Sequence, residues 1–112
     1  MKRNLDDQLE IEDCLPPPEP AEGALSRDLA IINRKGLHAR ATAKLVQCIE
    51  GFDAKVTVSR CGETVGGTSI MGILTLGAGL GTTIRVTALG PAAPEALEAV
   101  AKLVAARFGE EE

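Results

Sequence analysis

From Thr82 to Leu89 the chain alternates cleanly, with Ile84, Val86 and Ala88 on one side and Thr83, Arg85 and Thr87 on the other. A period of two with one apolar and one polar side marks a strand buried on a single face. Such a strand needs partners in a sheet and a layer to cover its apolar side. The neighbouring segments supply both. Lys55 to Arg60 repeats the alternation through Val56 and Val58, Cys61-Gly62-Glu63 turns the chain, and a shorter strand follows near Thr64 and Val65. That is a hairpin. Gly66-Gly67-Thr68 ends it, and upstream Asp28 to Asn33 reads as a buried first strand leading into the turn Arg34-Lys35-Gly36.

Three segments between and after these strands change to helical spacing. Thr42, Leu45, Ile49 and Phe52 recur at intervals of three or four and make one apolar face, with Arg40, Lys44 and Gln47 on the other. Gly51 then stands where a left-handed cap is expected. Ser69 is placed to cap a short apolar helix through Ile70, Met71, Ile73 and Leu74 to Gly77. Pro91 and Pro94 open a last helix in which Ala93, Leu97, Val100, Leu103, Val104 and Phe108 share a face, while Glu95, Glu98, Lys102 and Arg107 lie elsewhere around it. The order β-α-β-β-α-β-α predicts an α/β fold of the α+β type, a four-stranded antiparallel sheet covered on one face by helices.

Composition bounds what such a domain can do. At 112 residues one core suffices. The net charge of -4 is uneven: residues 1–27 hold three basic and seven acidic side chains, and residues 28–109 hold nine basic against six acidic. The first segment also carries Pro16, Pro17, Pro18 and Pro20, so it is expected to be an acidic, proline-rich, disordered extension. Residues 28–109 form the folded domain and residues 110–112 an acidic tail. Cys14, Cys48 and Cys61 fit neither a C-x-x-C nor a zinc-ligand spacing, which predicts reduced thiols, no metal and no cofactor. No stretch of 18 apolar residues exists and the acidic start lacks the pattern of a signal peptide, so a cytoplasmic monomer without membrane insertion is expected. With two phenylalanines and no tyrosine or tryptophan, the chain lacks the stacking platforms of single-strand nucleic-acid binders, and no nucleic acid is expected.

The single histidine, His38, lies in Gly36-Leu37-His38-Ala39-Arg40, where the first strand gives way to the first helix. A helix that starts just after His38 points backbone N–H groups without intrahelical partners at whatever the imidazole carries, so an anion is favoured there. The helix end also disfavours the imidazolium and so favours the neutral ring, the form that attacks phosphorus. Arg40 offers a planar, permanent charge to phosphate oxygens over the same point. A histidine buried for packing needs none of these neighbours.

The stretch Gly36-Leu37-His38-Ala39-Arg40 resembles the active-site motif of HPr, the histidine phosphocarrier family of the bacterial phosphotransferase system. The likeness spans about residues 28–109, because Ser69-Ile70-Met71-Gly72 and the loop from Leu76-Gly77 through Gly81 to Ile84 match the family in order and spacing. It implies the HPr open-faced sandwich. It also implies phosphorylation of His38 on Nδ1, with Arg40 assisting, and phosphoryl flow from enzyme I to enzyme IIA. The chain would thus be a transiently phosphorylated carrier rather than an enzyme. Ser69 matches the family's regulatory serine, which implies HPr kinase/phosphorylase as a further partner, and Leu37, Lys44, Ile70, Met71 and Leu74 are the expected docking residues. A phosphate on Ser69 would put nearly two charges beside an apolar surface. Ala41 departs from the family's usual proline; it keeps the helix and adds one N–H.

Other function classes fit less well. A nitrogen-related regulatory carrier shares all these residues and is the alternative branch. A purely regulatory relative that only binds partners would lack the acceptor histidine. A hydrolase using Ser69 with His38 would need a G-x-S-x-G elbow and a third member, neither of which is evident. The strands argue against a helical acyl carrier. Gly77-Ala78-Gly79-Leu80-Gly81 lacks the lysine and hydroxyl of a phosphate-binding loop and reads as a helix stop and tight turn.

Overall fold

The alternation of Ile84, Val86 and Ala88 becomes the centre of the sheet. The computed structural model describes residues 22–111, and the expectations for residues 1–21 and Glu112 lie outside the described residues. The elements are β1 (Leu25–Ala30), α1 (Ala39–Glu50), β2 (Lys55–Arg60), β3 (Glu63–Gly66), α2 (Ile70–Thr75), β4 (Thr83–Leu89) and α3 (Ala93–Ala105), followed by a 3-10 turn over Arg107–Gly109. The sheet runs β1-β4-β2-β3 with every pair antiparallel. This is the expected β-α-β-β-α-β-α order.

Burial follows the sequence period. Ile84, Val86 and Ala88 of β4 and Val56 and Val58 of β2 are buried under Ala41, Leu45, Val46 and Ile49 of α1, Ile73 of α2, and Ala93, Ala96, Leu97, Val100 and Val104 of α3. The opposite face is polar. There Ser26 and Thr87 pair at 2.9 Å, Ser59 and Thr64 at 2.8 Å, and Arg85 clasps Asp28 through both carboxylate oxygens at 2.7 and 3.1 Å. One apolar and one wet face is what an antiparallel sheet permits.

Four features depart from the expectation. β1 begins at Leu25, so the boundary expected at residue 27 falls inside a strand, and because β1 is an edge it is largely exposed rather than buried. Ile31 and Asn33, expected within it, are buried in the loop beyond, where Ile31 still bonds Thr82 and Gly81 by its backbone. Gly51 ends α1 with φ -78°, and its N–H turns to the Cys48 and Ile49 carbonyls without a left-handed residue. α3 stops at Ala105, because Arg107, Phe108 and Gly109 have φ of 57°, 55° and 80° and swing the chain away from the helix axis. Phe108 is nevertheless buried, which is what the turn achieves. Finally, Cys48 is a half-buried free thiol, but Cys61 is disulfide-bonded, so the expectation of reduced thiols does not hold throughout.

Candidate functional site

The loop that delivers His38 is held by close backbone contact. Gly36 has φ +67°, and a Cβ there would stand 2.6 Å from the Ala78 oxygen and 2.6 Å from the Gly79 Cα. Only glycine fits. Leu37 donates its N–H to that same Ala78 carbonyl at 2.8 Å, and Gly81 donates to Ile31 at 2.9 Å, so the glycine-rich loop after α2 braces the histidine loop. Leu37 is only 6 % exposed. It was expected as a docking residue; the structure corrects this, because its side chain anchors the loop in the core.

His38 is the N-cap of α1. Its Nδ1 accepts the backbone N–H of Arg40 at 3.3 Å, and the first regular helical bond runs from the Thr42 N–H to the His38 carbonyl at 2.8 Å. Thr42 is fixed below by its hydroxyl donating to the Leu37 carbonyl at 3.3 Å. The side chain of His38 remains 26 % exposed. Arg40 lies on the exposed face of the same turn, and among the described residues no bond engages its guanidinium. A phosphoryl group on Nδ1 would meet the first-turn N–H groups and have this cation within the same turn.

The other ring nitrogen has a partner that sequence reasoning missed. Nε2 of His38 is hydrogen-bonded to Oε2 of Glu110 in the turn after α3. The second carboxylate oxygen accepts from Asn33 Nδ2 at 3.1 Å, and that amide also donates to the Gly36 carbonyl at 2.9 Å. The bond from Asn33, then that from His38, holds the Glu110 carboxyl below its usual range, with the charge on Lys35 adding to the effect and burial opposing it. Asn33 is fully buried, and its Oδ1 has no partner among the described residues. A polar residue ending an apolar run was the available signal for Asn33. Nothing in the sequence pointed to Glu110, which was assigned to an acidic tail.

Lys44, expected on a docking face, instead directs Nζ to the Phe108 carbonyl at 2.6 Å. Across the site, Ser69 caps α2 and its Oγ accepts the Gly72 N–H at 3.1 Å. Ile73 is buried beneath, Leu74 is half-buried, and Ile70 and Met71 are 42 % and 70 % exposed. An exposed methionine and isoleucine side by side leave an apolar patch next to the cap. Among the described residues no cluster of three His, Cys, Asp or Glu side chains is arranged to hold a metal, and no helix is long and apolar enough to cross a membrane.

Residues 25–106 match the family model described as the "PTS HPr component phosphorylation site". The chain belongs to the HPr family. It is 49 % identical over 88 residues to the phosphocarrier protein HPr of Cupriavidus necator, covering 79 % of this chain and 99 % of that one. The phosphocarrier protein NPr of Shewanella violacea is 40 % identical over 86 residues, covering 77 % of this chain and 94 % of that one. The fold superposes on the crystal structure of HPr-C-His from Thermoanaerobacter tengcongensis with a TM-score of 0.76 at 35 % identity, covering 79 % of this chain and 99 % of that one. The family match includes His38, Arg40 and Ser69 and stops short of Phe108 and Glu110. As a phosphocarrier of the HPr and NPr kind, the chain carries phosphotransferase-system features in its family and relatives.

Proposed function

We propose that this HPr-family chain accepts a phosphoryl group from phosphorylated enzyme I on Nδ1 of His38 and passes it to enzyme IIA in the cytoplasm. The observation that carries this reading is the position of His38 as helix N-cap, with Nδ1 turned toward the Arg40 N–H. Attack by Nδ1 brings negative phosphoryl oxygens to a helix end, and the exposed Arg40 supplies a full positive charge nearby. Stabilisation of this kind must stay moderate. A carrier that bound the phosphorylated state too well would raise the barrier to the next transfer.

The partners would dock on Ile70 and Met71, with part of Leu74, while Ser69 at the edge of that patch is the regulatory site. Leu37 and Lys44 contribute from below, by holding the loop and the turn. The full chain incubated with phosphoenolpyruvate and enzyme I is expected to gain one acid-labile phosphoryl group, and enzyme IIA is expected to remove it. Failure of both steps would overturn the proposal.

The nitrogen-related branch is the second reading, supported by the relative named NPr at 40 % identity. The 49 % identity to a protein named HPr favours the sugar branch. Comparing transfer rates from the enzyme I of each branch decides between them, the faster donor identifying the branch.

A further inference from the structure

The hairpin between β2 and β3 turns on Cys61-Gly62, with φ of 52° and 83°, directly after the last ladder pair, Arg60 with Glu63. A two-residue turn with both φ positive is ordinarily built from asparagine or aspartate with glycine, so the turn itself gives no reason for a cysteine. Cys61 is exposed and disulfide-bonded. The chain has three cysteines and Cys48 is a free thiol, so the partner left within the chain is Cys14. We propose that Cys14 and Cys61 form a reversible clasp that, when closed, holds the acidic N-terminal segment at the His38 end of the sheet and slows phosphoryl transfer. This inference rests on the phosphocarrier reading of His38.

The topology sets what the clasp does. Leu25, Ala88 and Val56 lie in one row across β1, β4 and β2, and from that row β1 runs toward the loop that carries His38. β2 runs in the same direction as β1, because both are antiparallel to β4, so its tip lies at the histidine end. There Arg60 donates to the Leu76 carbonyl at 2.9 Å, and two residues further on the Ala78 carbonyl accepts the Leu37 N–H at 2.8 Å. A disulfide at Cys61 therefore moves the anchor of residues 1–13 from the far end of the sheet to the near one. The reach suffices. Cys61 lies about 17 Å along the strands and about 10 Å across them from Leu25, and the eleven steps of chain from Cys14 to Leu25 extend up to about 36 Å.

Charge decides the effect. Residues 1–13 hold five acidic side chains against two basic ones, whereas His38 stands at a helix N-terminus with Lys35 and Arg40 on either side in the chain. An acidic segment tethered near those cations has a raised local concentration there and competes with the incoming phosphoryl donor, through an attraction that salt screens. Opening the clasp returns the anchor to the far end. The exchange balances: one cysteine thiolate attacks a disulfide oxidant such as oxidised glutathione and releases one thiol, and the other cysteine then displaces the second thiol as the Cys14–Cys61 bond forms. Two electrons and two protons pass to the oxidant, and a dithiol reductant returns them. Cytosolic disulfides are usually of this transient, redox-sensing kind.

The test uses the full chain equilibrated with oxidised glutathione or with dithiothreitol, beside Cys14→Ser and Cys61→Ser. Peptide mapping without reduction locates the disulfide, and phosphoryl uptake from enzyme I and phosphoenolpyruvate is followed at low and moderate salt after the thiol reagents are removed. The oxidised parent is expected to be a monomer with Cys14 joined to Cys61, and the reduced parent to be heavier by two hydrogen atoms. Uptake by the oxidised parent is expected to be about threefold slower than by the reduced parent at low salt, the difference shrinking as salt rises, with both variants at the reduced rate after either treatment. Cys14 and Cys61 left unjoined in the oxidised parent, or joined between two chains, would overturn the clasp. Equal rates for the two forms, or a faster closed form, would overturn its control of transfer. A parent that takes up no phosphate in either state overturns the phosphocarrier reading, while the peptide map still reports the clasp.

Discussion

Lys44 donates from Nζ to the carbonyl oxygen of Phe108 at 2.6 Å, so the helix that begins at His38 also fastens the turn that carries Glu110. One stretch of chain therefore positions both sides of the imidazole. Replacing Lys44 by Met keeps most of the aliphatic stem and removes the donor. Lys44→Met is expected to cost about 1 kcal/mol of stability. It should also speed amide exchange at Gly109 and Glu110, whose N–H groups bond the Ala106 and Arg107 carbonyls at 3.0 and 2.9 Å. Hydrogen exchange measured by NMR checks this; unchanged protection in the turn would show that the lysine does not hold it.

Two glycines with nearly the same φ separate strain from close approach. Gly36 at φ +67° is pressed against the Ala78 oxygen and Gly79 Cα, whereas a Cβ on Gly77, at φ +65°, would meet nothing within 4 Å. Gly77→Ala is expected to cost about 1 kcal/mol for the left-handed backbone alone. Gly36→Ala adds overlap with backbone atoms and is expected to cost about 3 kcal/mol, with slower phosphoryl transfer because the His38 loop must shift. Denaturant titrations of the two variants give the comparison, and equal losses would refute the bracing role assigned to the loop after α2.

Much of this architecture was legible because burial and period agree. Alternation marks β4, helical spacing marks the apolar face of α1, and one hydroxyl before an apolar run marks Ser69 as a cap. The expectation sets β1 late because the charged Arg27 holds the position between Leu25 and Leu29 on the side of Val86, which breaks the apolar alternation, and an edge strand leaves little burial to mark it. Phe108 departs from its expected place for a different reason. Its spacing continues the face of α3, but the chain reaches the same burial through left-handed residues, and a pattern of apolar positions cannot distinguish the two routes. Glu110 was illegible because an acidic residue beside others at the end of a helix looks solvated until the fold brings a histidine 72 residues away to it.

The acid limb of stability should contain a contribution from Asp28. The two bonds from Arg85 hold its carboxyl below the usual carboxylate range, with charge attraction adding and burial opposing. A carboxyl lowered in the folded state stabilises fully above its unfolded value, and that contribution is lost as the pH falls through the folded one. The sign follows. Asp28→Asn should be slightly less stable than the parent at neutral pH, the effect being small because the pair is solvent-exposed, and the difference should vanish in acid. Urea titrations across the acid range check it, and a difference that persists or grows in acid would contradict the assignment.

Ser69 is expected to serve folding and docking in separable ways. Ser69→Ala removes the acceptor for the Gly72 N–H and should cost about 1 kcal/mol. Ser69→Asp keeps an acceptor at the cap and suits the helix dipole, so stability should change by less than about 1 kcal/mol. Binding should respond in the opposite order. The aspartate puts charge beside Ile70 and Met71, so affinity for enzyme I or enzyme IIA should fall more for Ser69→Asp than for Ser69→Ala, and less so as salt rises. Calorimetric titration at two salt concentrations tests this, and equal affinities would leave Ser69 as a cap alone.

Phosphorylation of His38 is tested most directly by ring-resolved NMR on the chain after incubation with enzyme I and phosphoenolpyruvate, run beside His38→Ala. Because His38 caps an exposed helix start rather than filling the core, the variant should fold like the parent. An acid-labile phosphoryl group is expected on Nδ1 of His38 in the parent and none in the variant. Phosphate on another residue, or undiminished acid-labile labelling of His38→Ala, would contradict it.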